Sequence, residues 1–401
     1  MEATIQRSQT TQGGVSLELL LARDITPLLS VSNPDLPYAK ASGEHTFAAP
    51  SLDSNLLLPN EFLPKDITVF VGVMGMTIDQ NTGHIWWSYN HGGHYIHEMD
   101  ALFRHVQSHE PKKQEPDFFL RKLRDEEEIP VSENFRDICF TGEGSQYNGF
   151  ILDSWGGYFH RSRSAVHILQ MPGFAYQQTV SLLRNCAEYI VPHNGMLLLC
   201  DHDTIGGSGT NVSLYDPETN KEIGHFRLEK IGSLFSANGI LQGICQESFT
   251  YGNSEKTKYT LVTIDNSGKG IRKKPLATTN FASGRGYLDR TMLRHPSGIL
   301  FFAGYGQLAN EKNYERTLEI FAPDGTSLAA THIPYSLHTA CFDAEGNLVG
   351  LAIVYDEQKR VHLMGVKYAV HYDSGIIPLE RDEMQETKPR LIQRVKSLFG
   401  F

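Results

Sequence analysis

Tyr189-Ile190-Val191-Pro192-His193-Asn194-Gly195-Met196-Leu197-Leu198-Leu199-Cys200 is two apolar segments joined by a tight turn that ends in glycine. An Asn-Gly pair between apolar runs is a strong hairpin signal, because both central residues of the tightest hairpin turns need positive φ. The plan returns three times downstream, with turns at Ala237-Asn238-Gly239, Pro296-Ser297-Gly298 and Ala344-Glu345-Gly346. After each hairpin come a loop and a third segment that breaks at an Asp-led turn, beginning at Asp216, Asp265, Asp324 and Asp373. Those aspartates recur every 49 to 59 residues. A period of about fifty residues, with about four short strands per unit, is how a β-propeller shows itself in sequence.

Upstream the plan is fainter but present. Alternation from Ile67 to Ile78 leads into Asp79-Gln80-Asn81-Thr82-Gly83 and returns through Ile85-Trp86-Trp87-Ser88-Tyr89. A further unit opens with Asp137-Ile138-Cys139-Phe140 and Phe150-Ile151-Leu152-Asp153, and its strand from Ala165 to Met171 breaks at Pro172-Gly173. Six units result, at about 60–92, 131–183, 184–230, 231–278, 279–334 and 335–381. Seven is the count if residues 15–58 make a blade of their own. The expected fold is therefore all-β, a six-bladed propeller over residues 59–386.

Three regions depart from the repeat. Residues 1–58, rich in Ser, Thr, Gln, Gly and Pro, read as a partly disordered leader able to supply a strand that closes the ring. Residues 91–130 carry many charges and read as a helical insertion, with helices over 94–107 and 116–128. Residues 387–401 read as a basic amphipathic helix. Leu391, Val395 and Leu398 lie at i, i+4 and i+7, with Lys388, Arg390, Arg394 and Lys396 around them. Such a helix docks on the rim or makes weak contact with an anionic membrane surface or a partner groove.

Composition limits the functional classes. The net charge of −10 argues against nucleic-acid binding through the phosphate backbone. The polar N-terminus lacks a secretory signal pattern, and no run of about 18 apolar residues is present to span a bilayer. Cys139, Cys186, Cys200, Cys245 and Cys341 are an odd set, four of them in or against expected inner strands. They read as reduced structural thiols, which fits a cytoplasmic location, or export without a classical signal peptide. The sequon Asn211-Val212-Ser213 is then coincidental.

Propeller topology singles out one rim of the central channel, where second strands end and first strands begin. Asp153, Asp201, His202, Asp203, Gln246, Glu247, Tyr305 and Asp356 fall at strand ends, and Asn134, Arg136, Asn185, Arg285, Tyr287 and His338 at strand starts. Asp201-His202-Asp203, beside Gly206-Gly207-Ser208-Gly209, is a run that ligates a divalent ion or orients a general base, or else caps a strand. Asp201, His202 and Glu247 are the candidate catalytic groups. In a helix His94, His97 and Glu98 would share one side, near enough to hold a metal, or simply begin a solvated helix. Trp86 and Trp87 cannot both face inward on one strand; the outward one is either a binding anchor or is covered by the insertion. No Gly-x-Ser-x-Gly elbow is present.

The units, with Ile320-Phe321-Ala322-Pro323-Asp324-Gly325-Thr326 and Phe342-Asp343-Ala344-Glu345-Gly346-Asn347-Leu348 as examples, resemble the blades of NHL-type and gluconolactonase/regucalcin-like six-bladed propellers. The likeness covers about residues 60–380. It implies a divalent ion in the channel held by acidic and Asn side chains, for which Asn134, Asn185 and Glu247 stand in the right zone. The residues thus support a protein-binding module that recognises its partner through the upper face and the 91–130 insertion. The alternative is a metal-dependent hydrolase or lactonase with its site in the central channel.

Overall fold

The computed structural model describes residues 14–25, 28, 73–89, 96–109, 135–155, 163–182, 187–201, 210–237, 239–251, 254–264, 270–276, 292–306, 315–333, 335, 337–355 and 361–373. Every element within them is a β-strand. The chain opens with β1 (Val15–Asp24). Blade one follows as β2 (Val73–Ile78), β3 (Ile85–Tyr89), β4 (Ile96–Met99) and β5 (His105–His109). Blade two is β6 (Phe135–Thr141), β7 (Tyr147–Trp155), β8 (Arg163–Met171) and β9 (Ala175–Ser181). Blade three is β10 (Ala187–His193), β11 (Met196–Asp201), β12 (Thr210–Asp216) and β13 (Lys221–Leu228). Blade four is β14 (Ile231–Ala237), β15 (Ile240–Tyr251), β16 (Ser254–Ile264) and β17 (Gly270–Leu276). Blade five is β18 (Met292–Arg294), β19 (Leu300–Gly306), β20 (Glu315–Phe321) and β21 (Ser327–His332). Blade six joins β22 (Leu337–Phe342), β23 (Leu348–Tyr355) and β24 (Val361–Tyr372) to β1, which pairs antiparallel with β24.

Six antiparallel four-stranded sheets with successive inner strands in contact make a six-bladed propeller. Alternation along each strand sends one set of side chains to the preceding blade and the other set to the following blade. The apolar clusters therefore lie between blades. Phe150, Leu152, Val166 and Ile168 of blade two pack with Leu197, Leu199 and Tyr215 of blade three. The closing strand follows the same rule, burying Val15, Leu17, Leu19 and Ala22 with Leu348, Val366 and Tyr368.

The lower face is made of short turns. Asn194 (φ 50) and Gly195 (φ 80) form the two-residue turn between β10 and β11, which only residues tolerant of positive φ can occupy. Neighbouring turns are linked: Asn81 Nδ2 donates to Gly142 O at 3.2 Å, His193 Nδ1 meets Ser236 Oγ at 2.7 Å, and His295 Nε2 meets Gly346 O at 3.0 Å.

One expectation fails here. The stretch expected as a helix over 94–107 is, in its described part, the strand pair β4 and β5 joined by a turn at 100–104. Asp100 makes the turn by accepting from the backbone N–H groups of Leu102 and Arg104, both at 2.9 Å, with Phe103 at φ 55. Blade one therefore runs to His109, not to residue 92. The expected helices over 116–128 and 387–401 lie outside the described residues.

Candidate functional site

The upper face differs from the lower in two ways. Among the described residues the middle hairpin of four blades extends beyond the last inner-strand pair: the inner pairing of blade four ends at Ile231 opposite Cys245, yet β15 and β16 stay paired to Tyr251 and Ser254. Likewise β7 and β8 pair out to Trp155 and Arg163, β19 and β20 to Gly306 and Glu315, and β23 and β24 to Tyr355 and Val361. The strand ends that flank residues 110–134 and 277–291, His109 and Phe135 in the first case and Leu276 and Met292 in the second, also lie on this side. The face thus presents raised hairpins around the channel mouth.

The mouth itself is marked by a recurrent irregularity. Among the described inner strands, register shifts fall between Val73 and Met76, Phe135 and Asp137, Ala187 and Tyr189, Ile231 and Ser233, and Leu337 and Thr339. A bulge puts one unpaired residue into a strand and changes the side-chain direction there. In blades two, three, four and six the extra residue is Arg136, Glu188, Gly232 and His338. Arg136 and His338 were singled out in the sequence; Glu188 was not. Its signal is the pattern apolar, any residue, polar, apolar at the start of the inner strands of blades two, three, four and six.

Asp137, next to the blade-two bulge, ties three blades together. Its Oδ2 accepts from the N–H of Ile190 at 2.8 Å, and its backbone lies against Gly75 of blade one. Burial and the Asp137 charge raise the Cys139 thiol well above its ordinary range. Cys341 is raised by burial and by Asp343 and Asp137. Both are therefore protonated thiols rather than nucleophiles.

Asp153 and Asp201 hold equivalent places, opposite the first residue of their inner strands, Phe135 and Ala187. Asp153 is buried, with Oδ2 at 3.2 Å from His167 Nε2. Asp201 accepts from the Asn211 backbone N–H at 2.6 Å and from Asn211 Nδ2 at 2.5 Å, which fixes the start of β12. Among the described residues no group of three His, Cys, Asp or Glu side chains has the geometry to hold a metal ion. Tyr305 and Glu247 lie on β19 and β15 where these rise above the inner strands. Asn134, Asn185, His202, Asp203, Arg285, Tyr287, Asp356 and His94 lie outside the described residues.

The expected His94, His97 and Glu98 arrangement does not form, because a strand sends His97 and Glu98 to opposite faces. His97 is fully buried, its ring tilted 32° against Trp87 at 4.4 Å, and joined to Ser108 Oγ at 2.8 Å. Burial, helped by His105 and His109, lowers its pKa to about 3. Glu98 meets His84 Nδ1 at 2.6 Å and His109 Nε2 at 2.7 Å. Burial works to raise the Glu98 carboxyl, but the hydrogen bonds from His109 and His84 outweigh it and hold it below its usual value. Trp86 and Trp87 are both buried, at 1% and 0% exposure. Trp86 packs toward blade two and stacks on His109 and Phe174, while Trp87 packs toward blade six. Neighbouring blades cover them, so neither is an exposed anchor.

No protein-family model and no curated protein matches the chain. Solved structures do resemble it. Hydrazine synthase of Kuenenia stuttgartiensis aligns at 11% identity with a TM-score of 0.43, covering 78% of this chain and 99% of that one. A chain of the mitotic checkpoint complex aligns at 10% identity with a TM-score of 0.41, covering 84% and 98%. A glucose dehydrogenase aligns at 9% identity with a TM-score of 0.40, covering 74% and 96%.

Proposed function

We propose that the protein is a binding module that takes a protein partner on its upper face. One observation carries the reading: among the described residues, hairpins rise past the inner strands on this face, while the described lower turns are short and bonded to their neighbours. Loops and raised hairpins on a rigid scaffold are where recognition residues concentrate. The bulge ring adds Arg136 at the mouth of the same face, and the blade-three bulge falls at position 188.

The recognition surface expected over 91–130 is narrower in this reading. Its 96–109 part is blade wall, which leaves residues 110–134, with the acidic run Asp125-Glu126-Glu127-Glu128, as the rest of that surface. An acidic connection favours a partner with a basic patch, through long-range attraction that salt weakens.

Photo-crosslinking tests this. A photoreactive residue is placed singly at upper positions 155, 251 and 306 and at lower positions 81, 297 and 345, in the cells that make the protein. Adducts should form from the upper positions and not from the lower ones. Adducts from the lower positions alone, or from none of the six, would overturn the proposal.

A further inference from the structure

Blade two carries a chain of side chains that partner binding does not use. Ile151, His167 and Thr179 are opposite one another on β7, β8 and β9, and Asp153 lies two residues further along β7 on the same face. His167 Nε2 lies 3.2 Å from Asp153 Oδ2, and its Nδ1 lies 2.7 Å from Thr179 Oγ1. The Tyr176 hydroxyl is 2.9 Å from the same Oγ1. Asp153 is 2% exposed, and the Phe135 ring stands edge-on to His167 at 6.0 Å, fixing the imidazole plane. Thr179 is exposed.

The donor directions follow from the groups. A carboxylate only accepts, so His167 Nε2 carries the proton and Nδ1 presents its lone pair. The Thr179 hydroxyl then donates to Nδ1, and Tyr176 donates to the threonine oxygen. A buried acid holds a base, and the base faces an accessible hydroxyl: this is the arrangement that activates an oxygen nucleophile.

We propose that Asp153, His167 and Thr179 form a nucleophilic site that accepts acyl groups from small activated carboxylic esters. Thr179 Oγ1 bonds to the acyl carbon as the ester C–O bond breaks. Its proton passes to His167 Nδ1 and on to the departing oxygen. Water then attacks the acyl-threonine with His167 as base, releasing the carboxylic acid and restoring the hydroxyl. As the outermost strand of its sheet, β9 turns alternate backbone N–H groups away from β8. The open position of Thr179 suits small aryl esters, with the Tyr176 ring beside it.

The full-length protein is incubated with p-nitrophenyl acetate, and acetyl groups are located by peptide mass spectrometry. Acetyl-Thr179 should appear and be removed by hydroxylamine. T179S should keep the adduct, while T179V, a same-shape change at an exposed position, should show none there. H167Q should slow formation of the adduct by about a hundredfold. An unmodified Thr179 in the wild-type protein, or H167Q acetylated at the wild-type rate, would overturn the proposal.

Discussion

Glu98 Oε2 and His109 Nε2 meet at 2.7 Å across β4 and β5, on the wall that blade one turns toward blade two. The same carboxylate holds His84 at 2.6 Å through its other oxygen. One acid thus serves two imidazoles, and His109 in turn stacks on Phe174 of blade two at 4.2 Å. Replacing the charge by E98Q removes charge-assisted hydrogen bonds at a mostly buried place. The expected loss is about 1–3 kcal/mol in urea unfolding, with the midpoint shifted and the slope unchanged.

Acid should destabilise the ring before its carboxylates titrate. Burial lowers His97 to about 3 and His193 to about 4, both below the ordinary value of 6.5. The folded state therefore favours the neutral rings, and their contribution is complete above pH 6.5. It is lost as pH falls from 6.5 toward those lowered values, at about 1.4 kcal/mol per pH unit for each ring. Glu98 and Asp343 have lowered values, so their contributions are present at neutral pH and disappear only in more acid solution. Unfolding free energy should already decline between pH 6.5 and 5, and H97Q should flatten part of that decline. A flat profile over this interval would count against the burial of both rings.

Gly75 packs directly against the backbone of blade two. A Cβ there would lie 2.6 Å from Asp137 Cα and 2.8 Å from Arg136 O, both backbone atoms that cannot swing aside. Gly75 also donates to Ser88 Oγ at 3.1 Å. G75A should cost about 1–3 kcal/mol through overpacking, measurable as a lowered melting temperature.

Ring closure depends on β1. Leu17 is 2% exposed in the cluster it shares with Leu348 and Val366, whereas Leu20 is 44% exposed beside the register shift of the same strand. L17A should cost about 2–5 kcal/mol and L20A less than about 0.5 kcal/mol. Equal effects in calorimetry would contradict the register of this pairing.

The blades were legible where the sequence alternates and turns carry their own chemistry, as at Asn194-Gly195 and Glu345-Gly346. The outer half of blade one was not. Ile96–Met99 is only four residues long, and His105–His109 is an outermost strand with polar, largely exposed side chains, so no apolar period survives to mark it. Site residues divide the same way. Arg136 and His338 could be picked as polar positions at the starts of inner strands. The contact of Asp153 with His167 could not, because it depends on a cross-strand register that no single strand encodes.

The central claim is that the upper face, and not the ring as such, recognises the partner. The direct measurement replaces residues 110–134 with a Gly-Ser linker long enough to join His109 to Phe135, then follows both melting and crosslinking from position 155. The account predicts an unchanged melting temperature together with loss of the crosslinked species. A stable variant that retains the adduct at full yield would contradict it.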